Sequence, residues 1–153
     1  MYCKELTRSQ LLDWGFACPK LINGQWHVYR YWRKCGPSNA RVLKEIKITE
    51  AVCKHKYTKE KKYQKITFSV NQRGISIPLS RFIFAWFAGI AHEGMDIEHI
   101  DNDPYNNNIF NLRECTREEN LAKRFSDNPE NWQNQWGPKN ETKLVSDKTD
   151  TSK

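Results

Sequence analysis

The chain has 153 residues, enough for one compact domain or a small domain with extensions, and too few for two full domains. Its net charge of +7 is unevenly spread: residues 1–80 carry 16 Lys/Arg against 5 Asp/Glu, residues 81–124 carry 5 against 8, and the remainder carry 4 against 5. There is no apolar run near the ~20 residues of a membrane span and no signal-like N-terminus, and Cys3, Cys18, Cys35, Cys53 and Cys115 are odd in number with no C-x-x-C pair. A membrane partner, a closed disulfide framework and a structural zinc are therefore not expected.

In chain order, residues 5–13 read as a helix, with Thr7 and Gln10 in capping-box spacing and Gly15 closing the segment. Gln25 to Arg33 alternates as a strand, with Trp26, Val28, Arg30 and Trp32 on one face and His27, Tyr29, Tyr31 and Arg33 on the other. Aromatic and basic residues interleave there, a pattern found both in cores and in surfaces that grip nucleic acid. After the break at residues 35–39, Arg41 to Lys65 is Lys-rich without clear periodicity and is compatible with a helix followed by an exposed arm. Strands from Tyr63 to Val70 and through Leu79, joined by a turn over Asn71 to Gly74, predict a hairpin. Ser80 opens an apolar helix, which is expected to be the core element.

Beyond Gly94 the reading is a short strand (95–100), a loop rich in Asp and Asn (101–110), a second short strand (112–115) and a helix from Thr116. Thr116 and Glu119 stand in capping-box spacing. The composition after Phe125 predicts a disordered tail, following a folded core at 63–125 and a basic region at 1–62 with the charge to contact a polyanion. The overall class is α+β.

A basic first half joined to an acidic second half describes a surface that attracts a polyanion beside a pocket that attracts a cation. The motifs sharpen this. Glu98-His99-Ile100-Asp101-Asn102-Asp103, then Asn106-Asn107, Asn111-Leu112-Arg113, and Thr116 to Asn120 place Asn111 twelve residues after His99 and Asn120 nine after Asn111. This stretch resembles the ββα-metal core of the zinc-free, phage and homing-associated branch of HNH endonucleases. In that branch D-H-I-D-G-D-x-x-N-N-x-x-x-N-L-R is followed by T-x-x-E-N. The resemblance covers residues 63–124, including Ser80-Arg81 and Ala85-Trp86 in a helix like the family's H-R-L-A-W. Glu98 stands where the family has Asp, and Ser80 where a His often precedes the helix Arg.

The resemblance implies a metal-dependent DNA endonuclease with His99 as general base, Glu98 and Asn120 as ligands to Mg2+, Mn2+ or another divalent cation, and Asn111 orienting the site. Phosphodiester hydrolysis needs an activated water, a cation for the developing charge and rigid placement of both. An imidazole near pKa 6.5 suits the first task, and hard oxygen donors suit the second. Asn107, Thr116 and Glu119 are expected to be structural. Arg113, Arg117, Arg30, Arg33, Lys61, Lys62 and Arg73 are candidates for contact with double-stranded DNA. Adjacent residues of a regular strand face opposite sides, so Glu98 and His99 require the strand to end or twist between them. A calcium loop starting at Asp101 is excluded, since Asn106 and Leu112 occupy the positions of its glycine and bidentate glutamate. His27, His55 and His92 have no ligand partner at recognisable spacing. The expected protein is cytoplasmic, a monomer or homodimer, of phage type by resemblance. The alternative is a nucleic-acid-binding module that keeps the fold without cleavage.

Overall fold

The computed structural model describes residues 4–33, 40–53 and 61–127, so the expectations for Cys3, Cys35, His55 and the tail beyond Asp127 lie outside the described residues. Thr7 caps α1 (Arg8–Asp13), its hydroxyl accepting from the Gln10 N–H at 3.1 Å. The helix starts later than residue 5 because Leu6–Thr7 form β1, which pairs antiparallel with β8 (Ile90–Ala91). The chain turns at Gly15 into two three-stranded antiparallel sheets. The first orders β2 (Lys20–Ile22), β3 (Gln25–Arg33) and β4 (Arg41–Ile46), and the second β5 (Ile48–Cys53), β6 (Lys61–Val70) and β7 (Arg73–Pro78).

Two-residue turns set the registers. Asn23 and Gly24 both have positive φ and join β2 to β3, which matches the right-handed twist of the strands they connect. The β6–β7 turn is tighter than predicted: Asn71 and Gln72 take the positive φ values of 49° and 66°, and Gly74 is already a strand residue. The stretch from Arg41 contains no helix among its described residues. It supplies β4, exposed from Arg41 to Glu45, and β5, whose described side chains are half-buried or exposed, and both leave little hydrophobic period to read.

Both sheets pack on α2 (Leu79–Ala88), which buries Leu79, Phe82, Ile83, Ala85 and Trp86. Phe16 meets Phe82 and Phe68 edge-on, with ring centroids 5.0 and 4.8 Å apart. One hydrophobic cluster takes Leu11 and Val28 from the N-terminal side, Ile66 and Ile77 from the hairpin and Leu112 from the later strands. The division drawn at residue 62/63 falls inside β6. The fold is α+β, with β9 (Asp96–His99) and β10 (Leu112–Cys115) forming a hairpin followed by α3 (Arg117–Asp127).

The polar exception in this core is Arg81, 6% exposed on the buried side of α2. Its guanidinium donates to four backbone carbonyls, those of Lys4 (2.8 Å), Ala91 (3.1 Å), His92 (2.7 Å) and Met95 (2.9 Å). Five donors in a rigid fork let one side chain tie the N-terminus and the 91–95 segment to the central helix. Arg81→Met, close in length but with no donor, is expected to lower the unfolding free energy by about 3 kcal/mol by orphaning these carbonyls. Urea titration checks this as a lower midpoint at unchanged slope, and a midpoint equal to wild type would refute the bracing role.

Candidate active site

The β9–β10 hairpin sets His99 opposite Leu112, Glu98 opposite Arg113 and Asp96 opposite Cys115. Its two faces have different neighbours. Ile97 and Leu112 pack into the core, while Asp96 and Glu98 lie on the side that α3 approaches. β9 ends at His99, the point where a regular strand would begin to separate the two side chains.

Glu98 is 6% exposed, and its two oxygens differ. Oε1 accepts from Arg113 Nε at 2.7 Å and lies 3.8 Å from Lys123 Nζ. Oε2 is buried with no hydrogen-bond partner. On α3, Asn120 donates its Nδ2 to Asp96 Oδ2 at 3.1 Å. One turn on, Lys123 donates to the carbonyls of His99 (3.1 Å) and Ile100 (3.0 Å), fastening the strand end to the helix. Thr116 and Glu119 start that helix by exchanging hydrogen bonds, Thr116 N–H to the Glu119 carboxylate at 2.8 Å and Glu119 N–H to the Thr116 hydroxyl at 3.1 Å. Donation from the Thr116 backbone, with its side chain beside it, holds the Glu119 carboxyl below its ordinary pKa.

His99 faces the 101–110 loop. Its Nε2 lies 3.1 Å from Asn107 Oδ1. Asn107 is buried, and its Nδ2 donates to the Tyr105 carbonyl (3.3 Å) and to Gln64 of β6 (2.9 Å). The carbonyl can only accept, which fixes the amide with its oxygen toward His99. His99 Nε2 must then carry the proton, and Nδ1 carries the free lone pair in the neutral ring. Trp26 of β3 donates to the Asn107 carbonyl at 3.0 Å, and Tyr105 donates to Glu50 of β5 at 3.1 Å, so both N-terminal sheets brace this loop.

Asn111 ties the loop to itself. Its Oδ1 accepts from the Asp101 N–H at 3.1 Å, and its Nδ2 donates to Asp101 Oδ1 and to the Asn106 carbonyl, both at 2.8 Å. Asp101 collects donors from Asn106, Asn111 and the Asp103 N–H, and these hold its carboxyl down to about 2.

The candidate phosphate contacts divide by their surroundings. Arg33, Lys62, Arg73 and Arg117 are exposed, and the side chain of Lys61 lies outside the described residues. Arg113 pairs with Glu98 rather than with its neighbour Glu114, which instead binds His92 through both oxygens. That bond to Glu98 raises the Arg113 pKa. Arg30 is committed internally: it donates to the Trp14 and Ser69 carbonyls and lies over the Phe16, Trp32 and Phe68 rings, and burial lowers its pKa. His27 pairs with Glu45 at 2.6 Å. Among the described cysteines, Cys18 and Cys115 are free thiols, and burial beside Glu98 pushes Cys115 up to about 11. Asp96 and Gln64 had no mark in the sequence, since neither stands at a family position and their partners lie 24 and 43 residues away.

Two antiparallel strands, the loop joining them and a helix laid against one face define a ββα unit of nuclease type. Residues 78–122 match the family model described as HNH endonuclease, and this part of the chain is similar to that family. The match runs from the residue before α2 into α3 and leaves the β6–β7 hairpin uncovered. No curated protein and no solved structure matches the chain. No described helix is long and apolar enough to cross a membrane.

Because the folded Asp101 carboxyl titrates near 2 against an ordinary 3.8, its contribution to stability is present above pH 3.8 and lost as the pH falls toward 2. Acid titration of wild type and Asp101→Asn, followed by thermal melting, is expected to show the wild-type advantage shrinking across that window. A gap constant between pH 5 and 2.5 would contradict it.

Proposed function

We propose that the chain is a divalent-metal-dependent DNA endonuclease in which His99 Nδ1 is the general base. The observation that carries the proposal is the orphaned, buried Oε2 of Glu98, on the strand whose Asp96 accepts from the Asn120 amide. A buried carboxylate oxygen without a donor is costly, and a cation is the partner that would satisfy it. Asn120 spends its Nδ2 on Asp96, which leaves Oδ1 as a neutral hard donor. Asp96 adds a carboxylate on the same side of the hairpin. No group of three or more His, Cys, Asp or Glu suited to a metal occurs among the described residues. An ion held by Glu98, Asn120 and Asp96 would therefore keep open positions, as Mg2+ usually does. When bound, it supplies charge neutralisation at the scissile phosphate and the leaving oxygen.

The protein's own groups do the rest. Asn107 holds the Nε2–H tautomer, so Nδ1 is the atom that takes the proton of an attacking water. The Asn111 and Asp101 network keeps the 101–110 loop in one geometry beneath it, and the capping box together with Lys123 sets α3 against the strand end. Exposed Arg117, Arg73 and Lys62 are available to phosphates. A second reading, DNA binding without cleavage, is favoured by one contact: Arg113 and Lys123 already neutralise the other oxygen of Glu98.

A supercoiled-plasmid nicking assay with Mg2+ or Mn2+ separates the two. Wild type is expected to nick, EDTA to stop it, and His99→Ala and Glu98→Gln to lose at least about 100-fold, the scale of general-base catalysis. Asp96→Asn should raise the metal concentration needed for half-maximal rate while leaving the melting temperature near wild type. Absence of nicking by wild type with every divalent ion tried would overturn the endonuclease reading, and salt-dependent binding to the same plasmid would then support the second.

A further inference from the structure

We infer that the outer face of the β2–β3–β4 sheet, at the end carrying Tyr31, Leu43, Arg33 and Arg41, reads DNA sequence by entering the major groove of a duplex. This deepens the endonuclease reading and rests on it, naming the surface by which the enzyme would choose its site.

The observation is an open face whose composition its own fold does not explain. Val28 and Ile46 of the β3–β4 pair lie in the core, Arg30 still stacks on the Phe16 and Phe68 rings, and from Tyr31 and Leu43 outward both strands are exposed. On the outer face Tyr31 stands directly opposite Leu43, and the two are 47% and 45% exposed. A sheet face open to water ordinarily carries polar side chains. Next along the same face Arg33 stands directly opposite Arg41, and both are exposed. Like charges directly opposite destabilise a strand pair, so this arrangement calls for an anion. At the near end of the face Lys20 lies 5.9 Å from the Tyr29 ring. The single acidic residue of β3 and β4, Glu45, is taken by His27.

Charge complementarity identifies the occupant as a polyanion, and shape narrows it to duplex DNA. The major groove of B-form DNA, about 12 Å wide, admits a two-stranded ribbon, whereas the major groove of A-form RNA is too narrow for side chains to read. Tyr31 offers a hydroxyl to base edges and Leu43 an apolar surface to thymine methyl groups, while Arg33 and Arg41 reach the flanking phosphates. A second copy of the chain is a poor occupant, since a two-fold contact would set the Arg33–Arg41 pairs against each other.

The position of this surface also fits. Trp26, at the near end of β3, is bonded to Asn107, the residue that holds His99. From Trp26 to Arg33 the strand extends roughly 23 Å, about seven base pairs of duplex. The bases read would lie within one helical turn of the bond that faces His99.

The test uses the full chain carrying His99→Ala, so that DNA stays intact, and repeated selection from a random-sequence duplex pool followed by sequencing. An enriched motif is expected. Tyr31→Ser with Leu43→Ser should cut the preference for that motif over a scrambled duplex at least about tenfold. Binding to the scrambled duplex should persist. Arg33→Gln with Arg41→Gln should weaken both duplexes alike and reduce the slope of log affinity against log salt by about 2. All four side chains are exposed, and circular dichroism verifies that the variants fold.

A pool with no motif, an unchanged preference in the Tyr31/Leu43 variant, or an unchanged salt slope in the arginine variant overturns the inference. So does a dimer that the Tyr31/Leu43 variant dissolves while DNA binding stays intact. Plasmid nicking by the unmutated chain reports separately on the endonuclease. Selection that depends on this face without nicking would remove the enzyme and keep the surface, and nicking with selection indifferent to this face would do the reverse.

Discussion

One guanidinium organises the fold. Arg81 projects from the central helix into a place where no carboxylate waits, and it is satisfied by four carbonyl oxygens from two distant parts of the chain. A buried charge needs donors or acceptors with good geometry, and here the acceptors are backbone atoms whose positions are thereby fixed. Met95 and His92 lead directly into β9, so the strand that carries Glu98 and His99 enters the site from a point anchored on α2. Lys4 is held by the same side chain, and residues ahead of the HNH match share one hydrophobic cluster with it.

From that anchor the site is assembled by side chains that restrict one another. Lys123 grips the carbonyls at the end of β9, Thr116 and Glu119 fix where α3 begins, and together they decide how Asn120 meets Asp96. On the opposite side Asn107 is held from three directions, by Tyr105, Gln64 and Trp26, and so presents a fixed oxygen to His99. Electrostatically the two sides differ. The Glu98 side joins a buried carboxylate to two cations yet leaves one oxygen unsatisfied, whereas the His99 side is built from neutral amides that select a tautomer without adding charge.

Much of this was legible in the sequence wherever the controlling interactions are local. Thr7–Gln10 and Thr116–Glu119 are bonds between residues three apart, so they can be read from spacing alone. The strands at Gln25–Arg33 and Leu112–Cys115 were legible from their residue types and bounding turns, although burial in them is confined to Val28 and to Leu112 and Cys115. Asn23-Gly24 carried an equally strong turn signal that the reading of elements did not use, and it would have found β2. The rest depended on partners far apart. β4 is exposed for most of its length and β5 is only half-buried, so neither leaves a period, and Arg81 meets carbonyls, which have no sequence identity. Asp96 and Gln64 became part of the site only through contacts across 24 and 43 residues. Arg30 looked like a surface cation in sequence and proved to be a brace stacked on three rings.

The hydrogen bond from Trp26 to the Asn107 carbonyl has a mechanical meaning. β3 is a continuous strand, so no hinge separates its outer end from the residue that sets the proton on His99. Its outer part, Val28 to Arg33, is bonded to β4, and its inner end to β2. A displacement at Arg33 would therefore reach the His99 imidazole through Trp26 and one amide.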